Sequence, residues 1–267
     1  MATAIGDQEP RDFHLRWATL RPPQCPTPYV RDTIRALLAE RPGPALQLGV
    51  TPAIADASAG GVAIDWNPDM LRLAWPGDSA THRAEVGNWL DLRFSNASFA
   101  TAFGDGSLTM LDWPADYRLL MRSLGRVLRP GGRLVLRCFV RPDACEAIGD
   151  LAAEVLAGKV DHFGAFKLRL NMATAAIDGR VYVPVADIHA QFEAHLPDRA
   201  AIETATGWGA AEFAAIDAYR DAGSHLSYAT RAEIASTLPE GATHRFVETE
   251  GYPLADRCPL LVVDFPT

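Results

Sequence analysis

Four short stretches hold side chains whose types and spacing could do chemistry: Gly49-Val50-Thr51-Pro52, Asp65-Trp66, Gly87-Asn88-Trp89 and Gly104-Asp105-Gly106-Ser107. Gly49 follows an apolar run, where a residue without a side chain lets the backbone approach a ligand. Thr51-Pro52 has the order of a helix N-cap and first helical residue. An ordinary strand-to-helix turn would read the same way. Asp65 closes the apolar run GVAID sixteen positions after Gly49, where a carboxylate can accept hydrogen bonds from both hydroxyls of a ribose. It could instead complement the next helix N-terminus, but Asn67 and Asp69 already serve that end. Trp66 could cover one face of an adenine or pack in the core. Asn88 and Trp89 offer an amide and backbone groups to an adenine edge, although Asn88 also suits a turn. Asp105 is the best-placed general base, with a solvated Gly-Asp-Gly turn as the competing reading.

These residues sit at the ends of alternating elements. Thr27-Pro28 opens a helix with Val30, Ile34, Leu37 and Leu38 on one face, and RPGP ends it at 41–44. There follow an apolar strand ALQLGV (45–50), a helix opening at TPAIADA, the strand GVAID (61–65) and a helix opening at NPDMLRLA. A third strand is expected near Ala84–Val86, a fourth at Phe99–Phe103 and a helix from about Pro114 to Leu128. RPGG (129–132) then turns the chain into a fifth strand, RLVLRCFV. Strands alternating with helices at short connections imply a doubly wound, mostly parallel, Rossmann-like α/β sheet, in which ligands lie beyond the carboxyl ends of the strands.

Beyond Arg141 strand signals thin out and helical faces recur: Ile148, Leu151, Ala152, Val155 and Leu156; Phe166, Leu170, Ala173 and Ile177; Val185, Ile188, Phe192 and Leu196. Thr230 and Glu233 have the spacing of a capping box. The last residues return to strand character in HRFVETEGY and CPLLVVDF. The expected organisation is an N-terminal cap segment and helix (1–43), a cofactor-binding core (44–140), a helical insertion serving as substrate cap (141–241) and a closing antiparallel strand pair (242–267). That pair completes a seven-stranded sheet.

With 48% hydrophobic residues the 267-residue chain can bury a sizeable core, and its formal net charge of −8 matches a phosphate backbone poorly. A small-molecule substrate is expected rather than nucleic acid. No apolar run approaches the roughly 18 residues that a membrane span needs, and the first residues lack the pattern of a signal peptide. A soluble cytoplasmic protein without a membrane partner is expected. Cys25, Cys138, Cys145 and Cys258 form no C-x-x-C pair, and His189 and His195 lie six apart rather than four. No metal site is expected. His162, His225, Tyr219 and Tyr228 could face a substrate or simply pack, and Trp17 and Arg21 could fold over a cofactor.

The first loop has only the first glycine of G-x-G-x-x-G, which disfavours a nicotinamide dinucleotide; a nucleoside cofactor without phosphates asks less of it. In order, ALQLGVTPAIADA, GVAIDWNPDMLRLA, GNWLDLRF, FGDGSLTML and YRLLMRSLGRVLRPGGRLVLR resemble the class I S-adenosylmethionine-dependent methyltransferases over about Pro44 to Val140, in the manner of the type 11 core. The final strand pair matches more loosely. The resemblance implies S-adenosyl-L-methionine as cofactor. It puts Gly49 at the methionine part, Asp65 on the ribose, Asn88 near the adenine amino group and the turn from Gly104 to Ser107, with Asp105 and Gly106, beside the transferring methyl; Val50, Thr51, Trp66 and Trp89 complete the expected cofactor site. Gln47 stands where the family has an acid, Thr51 where it has its second glycine, Asn88 where it often has Asp, and Ala100 where Phe99 is usually followed by Asp. These departures keep a non-catalytic cofactor-binding or protein-interaction member as the alternative to a small-molecule methyltransferase.

Overall fold

The computed structural model describes residues 20–267. Helix α1 (Pro28–Ala39) begins where Thr27 Oγ1 accepts from the Val30 N–H, with proline in its first turn, and buries Val30, Ile34, Leu37 and Leu38. Next come β1 (Ala45–Leu48), β2 (Gly61–Asp65), α2 (Pro68–Leu73), β3 (His82–Val86), β4 (Phe99–Asp105), α3 (Ala115–Val127) and β5 (Leu128–Arg137). The last two strands are β8 (Thr243–Val247) and β9 (Leu260–Asp264). Among the described residues these strands form one seven-stranded sheet in the order β3-β2-β1-β4-β5-β9-β8. The first five are parallel, and β9 runs antiparallel to both β5 and β8.

Alternation along the strands assigns the two faces. Ala45, Phe103, Val135, Leu260 and Val262 meet α1, while Leu46, Leu48, Ala102, Leu134 and Leu136 meet Leu120 and Leu124 of α3. At the other edge Ala63 and Val50 pack with Met70 of α2, whose N-terminus is capped by Asn67.

The helix expected to open at TPAIADA is a single 3-10 turn, Pro52–Ile54. Only twelve residues separate Leu48 from Gly61, about the minimum for any parallel crossover, and Gly60-Gly61 ends the segment. Ile54 plugs the core under α1 in place of a helical face. The Pro-Gly-Gly segment is also not a turn before β5: it lies inside the strand, with a register shift between Phe99 and Thr101.

Between β5 and β8 lie α4 (Ile148–Leu156), α5 (Phe163–Ala176), β6 (Tyr182–Pro184), α6 (Val185–His195), α7 (Arg199–Thr206), α8 (Ala210–Asp217), β7 (His225–Ser227) and α9 (Arg231–Ala235). The helices enclose a second apolar cluster around Phe166, Phe192, Trp208 and Ile216. Ile177, expected on the buried face, falls just past the end of α5 and is exposed. β6 and β7 pair as a two-stranded ribbon that the sparse strand signal does not reveal. The capping box at Thr230 and Glu233 is formed at the start of α9. No helix of the described residues is long and apolar enough to cross a membrane.

Candidate functional site

A cavity of about 950 Å³ lies beyond the carboxyl ends of β1, β2 and β4. Its volume is at the upper end of the range for small-molecule sites. One wall is made by the strand-end loops and the other by the helices between β5 and β8, with Leu20, Arg21 and Gln24 contributing from the segment before α1. Trp17, expected beside Arg21, lies outside the described residues.

The first loop is held by residues that precede and follow it. Gly49 has a φ of +88°, and a Cβ there would lie 3.2 Å from the Trp89 ring, so both conformation and space call for glycine. The Gln47 side-chain amide donates to the carbonyls of Gly49 (2.9 Å) and Thr51 (3.4 Å). A carboxylate at this position could not donate, so the loop's carbonyls and the amide of Gln47 belong together. Val50 and Thr51 line the cavity.

The Asp65 side chain is buried at the end of β2. Its Oδ2 accepts from the Val50 N–H (2.8 Å) and its Oδ1 from the Asn67 N–H (2.9 Å). It therefore ties the first loop to the second instead of capping α2, which Asn67 does. A carboxylate has about four acceptor positions, so each oxygen keeps capacity for a further donor from the cavity that Asp65 lines. Burial pushes the Asp65 carboxyl up from its ordinary value, while the N–H groups of Val50, Asn67 and Trp66 pull it down.

Trp66 is half-buried on the cavity wall and also packs against the main core, so both of its expected roles are physically open to it. Trp89 is buried below Gly49 and donates its Nε1–H to the Ile64 carbonyl (2.8 Å). Asn88 is not on the wall: its Oδ1 accepts from the Leu90 N–H (2.8 Å), closing an Asx turn. The amide oxygen of the side chain expected at an adenine edge is engaged in the loop itself.

At the end of β4, Gly104 is packed under the cavity floor, where a Cβ would stand 2.8 Å from the Leu48 carbonyl. Gly106 turns with a φ of +67° against Phe139, and Ser107 Oγ donates to Leu48 O (3.1 Å). Asp105 is not the free carboxylate that a general base requires. It accepts at 2.5 Å from Nε of Arg137, whose side chain is fully buried, and that guanidinium also donates to the carbonyls of Pro23 (2.9 Å) and Cys25 (3.3 Å). Burial pushes Asp105 up with Arg137 opposing it. For Arg137, burial works against the charge but Asp105 more than offsets it, and the guanidinium stays ionised. Nothing in the apolar-looking RLVLR signals this role; its partners lie far away in sequence.

Of the four residues left open between facing a substrate and packing, the opposite wall carries His162, Tyr219 and Tyr228 but not His225, whose Nε2 meets Asp112 outside the cavity. Periodicity does not single out Lys167 and Asn171, although with Gly164 and Leu168 they form one face of α5 toward the cavity. Gly164 approaches Gln24 so closely that a Cβ would lie 2.9 Å from Gln24 Oε1, and here the segment before α1 meets the insertion. Among the described residues, His189, Glu193 and Asp217 gather within reach of one ion, but Arg199 bonds both carboxylates.

The strand order departs from the 3-2-1-4-5-6 order of dinucleotide-binding sheets by placing an antiparallel strand beside β5. The S-adenosylmethionine-dependent methyltransferase SibL, solved in its apo form, superposes with a TM-score of 0.50 at 14% identity, over 88% of this chain and 54% of SibL. The chain shares the Rossmann-like fold of this methyltransferase. The same comparison finds a Rhodobacter sphaeroides protein assigned provisionally to the Zn-dependent alcohol dehydrogenases (TM-score 0.57, 13% identity, 88% of this chain and 90% of that one). It also finds the N-methyltransferase NodS of Bradyrhizobium japonicum WM9 in complex with S-adenosyl-L-homocysteine (TM-score 0.49, 14% identity, 96% and 98%). No family model matches the chain, and no curated protein does. The first loop of this chain is built on the 3-10 turn after β1 and the Gln47 bonds.

Proposed function

We propose that the protein is an S-adenosyl-L-methionine-dependent methyltransferase acting on a small molecule, with residues 44–140 as the cofactor-binding core and 141–241 as the acceptor cap. The observation that carries this reading is a single cavity with strand-end loops on one side and insertion helices on the other, with Asp65 at its floor. The residues fit a nucleoside: Asp65 retains acceptor capacity, Gly49 holds the loop close, and Trp66 has an aromatic face on the wall. Gly49, Val50, Thr51, Asp65, Trp66, Trp89, Asp105 and Gly106 would surround it.

When bound, the cofactor supplies an electrophilic methyl group on a good leaving group. The chain's own contribution is alignment and exclusion of water. Leu20, Arg21 and Gln24 close the cavity from one side and α5 from the other. The Asp105–Arg137 pair positions the turn after β4 and takes no proton. A nucleophile that needs no deprotonation suits such a site.

Calorimetry with S-adenosylhomocysteine tests the reading: binding is expected, and no heat of binding would remove it. Asp65→Ala should weaken that binding by more than about tenfold, or about 1.4 kcal/mol; unchanged affinity would remove the ribose assignment. The second reading, a cofactor binder without catalysis, is favoured by the neutralised Asp105 and the altered first loop. Methyl transfer to any compound in a metabolite screen eliminates it.

A further inference from the structure

Only two of the chain's 25 basic residues are lysines, Lys159 and Lys167, and Lys167 lies on the cavity wall. It projects from the second turn of α5, one turn before Asn171, and its Nζ lies 4.6 Å from the centroid of the buried Tyr219 ring. Among the described residues no carboxylate comes within 4 Å of it in an ion pair. The other acids of the wall are engaged or exposed. Asp65 accepts backbone N–H groups, Asp105 holds Arg137, Glu212 accepts from the Gly209 N–H at 3.0 Å, and Asp161 is exposed. An ammonium set against an aromatic face is worth about 0.5–1 kcal/mol where exposed and more when desolvated, and it still lacks a counter-charge. Around it the wall is aromatic: Phe163 and Trp208 meet edge to face at 5.2 Å, and the Tyr228 hydroxyl accepts from Asn171 Nδ2 at 2.8 Å, leaving its own proton to donate.

We propose that the Lys167 ammonium receives a carboxylate of the methyl acceptor, which makes the substrate class a small carboxylic acid with a flat apolar body. This rests on the methyltransferase reading for the word acceptor, but not for the anion site. A carboxylate also ends the methionine part of the cofactor. Lys167 and Tyr219 belong to the insertion wall rather than to the strand ends, and that placement assigns the site to the acceptor.

The test uses the full chain, 4-hydroxybenzoate and its methyl ester as probes, and quenching of the cavity tryptophans as readout, with and without S-adenosylhomocysteine. Wild type should bind the acid at least tenfold more tightly than the ester. Lys167→Met should lose that preference while its binding of the ester stays the same, and Lys167→Arg should restore part of it. Equal binding of acid and ester, no binding of the acid, or a preference that survives in Lys167→Met would overturn the proposal. Parallel titrations with S-adenosylhomocysteine and methylthioadenosine separate the two carboxylates. A tenfold loss for the former alone in Lys167→Met moves the site to the cofactor and overturns the acceptor assignment. If wild type fails to bind S-adenosylhomocysteine yet binds the acid through Lys167, the anion site stands and the methyltransferase reading falls.

Discussion

Arg137 does three things with one guanidinium: it neutralises Asp105 and fixes the carbonyls of Pro23 and Cys25. The planar fork of arginine allows this, and a lysine with its point charge could not replace it in kind. The segment before α1 is held over the cavity from inside the sheet. Arg137→Met would leave the Asp105 carboxylate buried and unpaired, a change that costs about 3–5 kcal/mol. Urea unfolding should show that loss, and the double variant Asp105→Leu/Arg137→Met should recover part of it. A single variant within 1 kcal/mol of wild type would mean that the pair does not hold the turn. Neither Arg137 nor Asn88 was legible from sequence. RLVLR reads as a strand whichever way its second arginine points, and an Asx turn and a ligand contact call for the same amide.

Elements with local chemistry at their ends are the ones that sequence discloses. Thr27-Pro28 starts α1, GVAID bounds β2, and Thr230 with Glu233 starts α9, because caps and period-two burial involve neighbours in the chain. Where length decides, the signal fails: Thr51-Pro52 announces a helix, but the twelve-residue crossover and its Gly-Gly end leave room for one 3-10 turn. The α9 cap also has tertiary reach, because Glu233 meets Arg141 at 3.2 Å and its carbonyl accepts from Trp113 Nε1 at 3.2 Å. Thr230→Ala should therefore cost about 1 kcal/mol or somewhat more, read as a lower urea midpoint with an unchanged slope. A midpoint equal to that of wild type would show that the cap is idle.

The whole molecule is held together partly by Glu146, which accepts from Arg169 of α5 (2.7 Å) and from Arg257 just before β9 (2.8 Å). Burial alone would raise the Glu146 carboxyl, but Arg257 and Arg169 hold it down at about 2, against an ordinary 4.5. Between those values the unfolded chain binds more protons, so this carboxylate's contribution is full above 4.5 and is lost as the pH falls toward 2. After allowance for solvent screening it is about 1–2 kcal/mol. Glu146→Gln should lower the urea midpoint at pH 7 and much less at pH 3; an equal gap at both would refute the linkage. Sequence could place the insertion and the closing strands, but not this bridge between them, since an isolated glutamate gives no sign of which arginines it will meet.

The short turn after β1 also decides which charges the cavity welcomes. An α-helix starting there would point about half a positive charge at the ligand, the usual anchor for a diphosphate. Its place is taken by Pro52–Ile54, and the carboxylate of Asp65 stands close by without that counterweight. The strand-end wall thus lacks, after β1, the helix N-terminus that anchors a diphosphate. On the opposite wall the Lys167 ammonium sets the reverse sign. A cationic sulfonium would be drawn to one side and an acid to the other, and a spent cofactor that has lost its positive charge would be held less firmly, so the same field that seats the reactants would favour turnover.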